Sequence, residues 1–128
     1  MINHPKSTNT NFSNDFAVLV LEKPSSFKSV ALAALDDPEL KVGESEAKIG
    51  WDDTGGEGTM AYELTREDVQ LMSNDNCLDD MNVDDTMLCS RGIPNVASCT
   101  GAYSGSLVVE RPSGDVLVGV LSWGDDCV

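Results

Sequence analysis

The apolar segments of this chain are short, of strand length, and set among dense Gly, Pro and Asp punctuation, which leaves little room for a helix-built core. Phe16–Leu21 is a continuous apolar run stopped by Lys23-Pro24, as expected of a strand, because proline cannot continue a ladder. Val30–Leu35 is a weaker run that Asp36-Asp37-Pro38 ends as a turn. Ala47–Trp51 predicts a strand before the Gly/Asp loop 52–58. Met60–Leu64, Val69–Met72 and Met87–Cys89 predict three more. Leu107–Val109 and Val116–Leu121 end the series, joined by the turn Pro112-Ser113-Gly114-Asp115. Residues 1–14 are polar and predict an extended surface approach. Only residues 63–72 could pass for a helix, with Thr65 as its cap before Asp68. Short strands at regular spacing predict an all-β sandwich or barrel. There is no internal repeat, low-complexity tract or clear linker.

Composition narrows the class of function. The 128 residues permit one ordinary domain, and a 41% apolar share is enough for a core. With 8 Lys+Arg against 22 Asp+Glu, the net charge is 8 − 22 = −14. That balance speaks against nucleic acid, which needs clustered cations to displace counterions, and against an anionic membrane surface. No apolar run approaches the ~18 residues of a membrane span. The start MINHPKSTNTNFS has no apolar h-region, so no signal peptide is expected within this chain.

Four cysteines, Cys77, Cys89, Cys99 and Cys127, are separated by 12, 10 and 28 residues. Zinc sites favour close C-x₂₋₄-C pairs, which are absent, as is a CxxC redox motif. An even count at wide spacing predicts two disulfides, with three connectivities open, and hence an oxidising, extracytoplasmic setting. That setting and the missing leader are reconciled if the chain is a fragment. The acidic run 78–85 imitates a calcium loop through Asp80-x-Asn82-x-Asp84, but Asp85 stands where glycine belongs and Arg91 where glutamate belongs. It reads as a solvated acidic loop, and no metal or cofactor is expected. Asn11-Phe12-Ser13 is an N-glycosylation sequon.

The longer motifs point to a family. Near the C-terminus stands Ser98-Cys99-Thr100-Gly101-Ala102-Tyr103-Ser104-Gly105-Ser106-Leu107. It is followed by Val118-Gly119-Val120-Leu121-Ser122-Trp123-Gly124 and Cys127. Upstream are Asn14-Asp15-Phe16-Ala17-Val18-Leu19-Val20-Leu21, Ile49-Gly50-Trp51, Ser73-Asn74-Asp75-Asn76-Cys77 and Met87-Leu88-Cys89. Taken in chain order they resemble the landmarks of the chymotrypsin/trypsin-like serine proteases (peptidase family S1), over essentially the whole chain. The resemblance implies a trypsin-like antiparallel β-barrel fold, here truncated. Residues 1–46 would be the end of the first barrel and the inter-barrel connection. Residues 47–128 would be the second barrel without its C-terminal helix. The implied pairing is Cys77–Cys89 and Cys99–Cys127. Folds of this kind run to roughly 200–250 residues, so the chain is expected to be about half of one.

The same motifs, as they stand here, lack the family's chemistry. A serine becomes nucleophilic only when a histidine takes its proton and an aspartate orients that histidine. Asp15 matches the orienting aspartate and reads as a vestigial, hydrogen-bonded buried carboxylate. His4 is the lone histidine and reads as an exposed His-Pro of the N-terminal run, outside the family's histidine segment. The nucleophile position falls on Tyr103, or on Ser104 if the motif slides by one residue. The aspartate that would pair with a freed N-terminus is replaced by Ala102 or Tyr103. Backbone donors of an oxyanion hole contribute roughly 10²–10³ each in rate, so damage to that loop is severe. Ala97 stands where trypsin-like members carry the aspartate selecting Lys/Arg, and Ser122-Trp123-Gly124 remains as the wall of that pocket, its role mainly structural.

Scaffold retained and chemistry lost predicts a secreted, catalytically inactive homologue that works by protein–protein contact. Asn14-Asp15-Phe16-x-Val18-Leu19-Val20-Leu21-Glu22-Lys23-Pro24, the Ser98-Cys99…Gly105-x-Leu107 loop and Asp115-Val116-Leu117-Val118-Gly119 are similar to segments of the glucanase inhibitor proteins of oomycete plant pathogens. That resemblance implies a host endo-β-1,3-glucanase as protein partner. The alternatives are a fragment of a working serine endopeptidase, or a degenerate fragment with unpaired strand edges.

Overall fold

A computed structural model of the chain describes residues 1–38, 40–51, 62–77, 83–92 and 105–123. Eight strands and one short 3₁₀ turn make up its regular structure, in the order β1 (Ile2–Asn3), β2 (Ala17–Val18), β3 (Ala31–Leu32), β4 (Ser45–Gly50), β5 (Thr65–Met72), the 3₁₀ turn Asn74–Asn76, β6 (Cys89–Gly92), β7 (Ser106–Val109) and β8 (Val116–Val120). The expected all-β architecture is the one observed. β1 and β2 form a small antiparallel pair, and the other six strands form one sheet in the order β3-β8-β7-β4-β5-β6.

β4 lies at the middle of that sheet, bonded to β5 along its whole length (Ser45↔Gln70 to Gly50↔Thr65) and to β7 through Ala47↔Val108. Ala47, Val69, Leu71, Val108 and Val116 are the buried aliphatic residues around it. β7 and β8 form a hairpin around Pro112–Ser113, with a register shift at Leu107/Val108. Gly105 enters β7 against the end of β4, where an added Cβ would lie 2.9 Å from the Ile49 carbonyl oxygen. No side chain fits so close an approach.

Several expectations need correction. The segment 63–72 that could pass for a helix forms none: Thr65–Met72 is β5, which contains the expected strand Val69–Met72. Strand Met60–Leu64 is not formed at Tyr62–Leu64, while Met60 and Ala61 lie outside the described residues. The ladder starts instead at Thr65, through a polar stretch that only cross-strand partners make favourable. Lys48 faces Glu67 directly, Nζ to Oε2 2.6 Å. Arg66 reaches over the opposite face to grip both oxygens of Glu110 at 3.2 and 2.7 Å. Opposed charges on one sheet face favour pairing.

The N-terminal segment is also not simply extended. β1 and turns at Pro5–Lys6 and Asn9–Asn11 fold it back, with the His4 amide donating to the Phe16 carbonyl. Within Phe16–Leu21 only Ala17–Val18 pairs, and the whole run is exposed, because no second layer among the described residues covers it. The Met87–Cys89 strand is shifted to Cys89–Gly92. One pairing is parallel: β3 joins the sheet edge through Ala31↔Val116 and Leu32↔Leu117. Asp37 and Arg111, 2.8 Å apart, fasten the turn after β3 to the β7–β8 hairpin.

Glu46 sits opposite Val69 on β4, only 3% exposed, and neither carboxylate oxygen has a hydrogen-bond partner among the described residues. Burial first, and then the nearby Glu44 charge, push its pKa up. A raised folded-state pKa means that the native chain holds this proton more tightly than the unfolded chain. The associated stability is complete below the ordinary carboxylate pKa of about 4.3 and is lost as pH rises through the raised value. Glu46→Gln should therefore melt above the parent at neutral pH and converge with it near pH ~4. Thermal unfolding followed by circular dichroism across that range measures the difference; an unchanged or lower melting temperature at neutral pH contradicts the assignment.

Candidate functional site

The N-terminal segment meets the main sheet at a carboxylate expected to lie in a solvated loop. Asp84 Oδ2 accepts hydrogen bonds from the Ser13 hydroxyl and from Asn11 Nδ2, the latter at 3.4 Å. Its Oδ1 accepts from the Thr86 amide at 2.8 Å and the Thr86 hydroxyl at 2.6 Å. These donors, Ser13 foremost and then Thr86, hold the Asp84 pKa below the usual carboxylate range. Thr86 Oγ1 accepts in turn from the Asn14 amide at 3.1 Å. Beneath, Asn74 Nδ2 donates to the carbonyls of Asp84 and Met87, both at 3.1 Å, and a disulfide joins Cys77 to Cys89, with Cα atoms 6.1 Å apart. The bridge that the family pattern implied is thus present.

This docking puts Phe12 in the left-handed region, φ 56°, between its two anchored neighbours. A bulky residue adopts that conformation only when its surroundings hold it there. Its ring lies 6.1 Å from that of Trp123. Both rings line a cavity of about 310 Å³ whose lining also includes Asp15, Phe16, Lys48 and Ser122, at the lower end of sizes that admit small ligands.

Asp15 and Ser122, read separately from the sequence, meet in this cavity: the Ser122 hydroxyl donates to Asp15 Oδ2 at 2.5 Å. Asp15 is hydrogen-bonded as expected, but exposed and not buried. His4 is half-buried instead of exposed; its ring stacks at 4.8 Å on Phe16, and its Nδ1 accepts from the Lys6 amide at 3.3 Å. Trp123 is half-buried. Ala97, Tyr103, Ser104, Gly124 and the Cys99–Cys127 pair lie outside the described residues, as do Asp80 and Asn82. Among the described residues no cluster of three or more His, Cys, Asp or Glu could hold a metal ion, and no helix is long and apolar enough to cross a membrane. The roles of Asp84 and Phe12 were missed; the sequon and the calcium-like spacing flagged the right neighbourhood for other reasons.

Comparison with known proteins agrees with the motif order. The chain matches the trypsin family model over residues 1–128. It is 43% identical to glucanase inhibitor protein 3 of Phytophthora infestans, over 98% of this chain and 50% of that protein. It is 37% identical to glucanase inhibitor protein 2 of the same organism, over 94% of this chain and 50% of that one. It is 34% identical to glucanase inhibitor protein 2 of Phytophthora sojae, over 98% and 45%. The chain spans about half the length of these curated relatives.

The Cys77–Cys89 bridge closes a loop of 12 residues, which in the chain-entropy account is worth about 3 kcal/mol. Replacing both cysteines by serine should lower stability by about that amount and release Asp84 from its donors. Urea unfolding measures the first effect. Loss of the Trp123 near-ultraviolet signal before global unfolding reports the second, and a variant as stable as the parent would contradict both.

Proposed function

The chain belongs to the trypsin family, and from that premise we propose that it is a catalytically inactive, secreted member that binds and inhibits an endo-β-1,3-glucanase. The observation that carries this reading is its likeness, at 43% identity over nearly its full length, to a protein named as a glucanase inhibitor. Domain-scale activity belongs to the whole fold, in which residues 1–46 would complete a first barrel and 47–128 supply most of a second.

The site's chemistry supports binding over catalysis. Nucleophilic catalysis needs a base that accepts the serine proton and later returns it to the leaving group. Here the Asp15 carboxylate takes a hydrogen bond from Ser122, and the lone histidine is engaged with Phe16 and the Lys6 amide. Tyr103 or Ser104 at the nucleophile position, with Ala102 or Tyr103 preceding it, lacks the acidic neighbour that would order an oxyanion hole. What remains is a cavity edged by aromatic rings, and aromatic residues are enriched where protein partners bury surface. The disulfide and the sequon fit an extracytoplasmic setting.

Titration of the refolded, oxidised chain into a plant endo-β-1,3-glucanase by calorimetry should give saturable binding at micromolar concentration or below, with loss of glucan hydrolysis. No heat of binding and no inhibition would overturn the proposal. A serine endopeptidase would be labelled at Ser104 by an active-site fluorophosphonate; the expected outcome is no labelling.

A further inference from the structure

We propose that Asn11 is a conditional glycan acceptor, open to modification only while residues 11–14 are undocked and closed once they fasten onto Asp84. The two side chains that define the sequon are the two that grip this carboxylate. The Ser13 hydroxyl, on a residue only 8% exposed, donates to Asp84 Oδ2. Asn11 Nδ2, the atom that would carry the sugar, points at the same oxygen at 3.4 Å. Asn11 Oδ1 is engaged as well, by the Thr8 hydroxyl at 2.5 Å and the Ser13 amide at 3.4 Å. The Asn14 amide on Thr86 and the Thr8 amide on the Ser13 carbonyl, at 3.1 and 3.2 Å, close the backbone on either side.

Transfer requires all of these groups at once. An oligosaccharyltransferase joins Asn11 Nδ2 to C1 of a sugar carried on a lipid diphosphate. The C1–O bond to the diphosphate breaks, the diphosphate leaves, and the amide nitrogen gives up one proton. The enzyme must bind an extended Asn-x-Ser with its hydroxyl and amide free, whereas here the hydroxyl is spent on Asp84. Modification of the native chain therefore runs through a locally opened state, and its rate follows the population of that state. A glycan added before folding would leave a bulky group at the docking face, so Phe12 would lose the constraint that turns its ring toward Trp123.

The setting in which this matters rests on the proposed secretion, but the test does not. The full chain, folded, oxidised and made without glycosylation, is incubated with a purified oligosaccharyltransferase and lipid-linked oligosaccharide. Initial rates are read by mass spectrometry beside a free peptide of residues 8–16. The expected result is rapid modification of the peptide, slow modification of the folded parent and, for folded Asp84→Asn, a rate raised about tenfold, the factor equivalent to about 1.4 kcal/mol of lost docking. Should Asp84→Asn fail to fold, Thr86→Val, which removes one hydroxyl donor to the same carboxylate, must raise the rate in the same direction. A folded parent modified as fast as the peptide overturns the inference, as does a folded variant no faster than the parent. Neither result bears on glucanase binding, which calorimetry decides by itself.

Discussion

β4 is the strand on which everything else is hung. It is paired on both edges, to β5 over its whole length and to β7 over half of it, so its backbone groups in those ladders are satisfied without water and its ends set the positions of the neighbours. The Gly105–Ile49 contact follows from that. Gly105 passes directly over the Ile49 carbonyl as the chain enters β7, and it is itself part of the cavity lining. The cost of the arrangement is also on this strand, where Glu46 lies buried with no hydrogen-bond partner among the described residues.

A second junction, chemically different, joins the N-terminal segment to the sheet. Where β4 works through repeated main-chain bonds, the Asp84 junction gathers side-chain and amide donors from two distant stretches onto one carboxylate. Hydrogen bonds to a charged acceptor are roughly twice as strong as neutral ones, so one residue can hold a segment that has little apolar surface to bury. The disulfide and Asn74 shape the loop that presents this carboxylate. The aromatic edge of the cavity depends on both, since Phe12 keeps its left-handed conformation only between two anchored neighbours.

How much of this could be read from the residues follows the range of the interactions involved. A short apolar run bounded by turn residues is a local signal, so β4, β7 and β8 were legible to within two residues, and the β7–β8 turn at Pro112–Asp115 was as well. Thr65-Arg66-Glu67-Asp68 was not, because nothing local makes a polar run into a strand; Glu110 and Lys48, distant in sequence, do so. Asp15 and Ser122 were each identified through a family pattern, yet their mutual hydrogen bond spans 107 residues and no spacing rule connects them. Asn11-Phe12-Ser13 and Asp84 were each singled out, one as a sequon and the other within a run that imitates a calcium loop but reads as a solvated acidic loop. The structure makes each the other's hydrogen-bond partner. His4 was misjudged because its burial comes from the Phe16 ring, a contact made by the fold-back of β1 onto β2.

The exposed run Phe16–Leu21 has a consequence for how the protein behaves in a test tube. Six apolar residues with high strand propensity, held by only two paired positions, form the kind of segment that templates edge-to-edge association between molecules. Its flanks carry Asp15 on one side and Glu22-Lys23-Pro24 on the other, charges and a proline placed where gatekeeper residues interrupt such growth. The net charge of −14 adds long-range repulsion between copies, so all but the proline among these safeguards are electrostatic. Added salt screens the charges with a Debye length of about 10 Å at 0.1 M, so raising the ionic strength of a preparation leaves Pro24 as the safeguard that screening does not weaken.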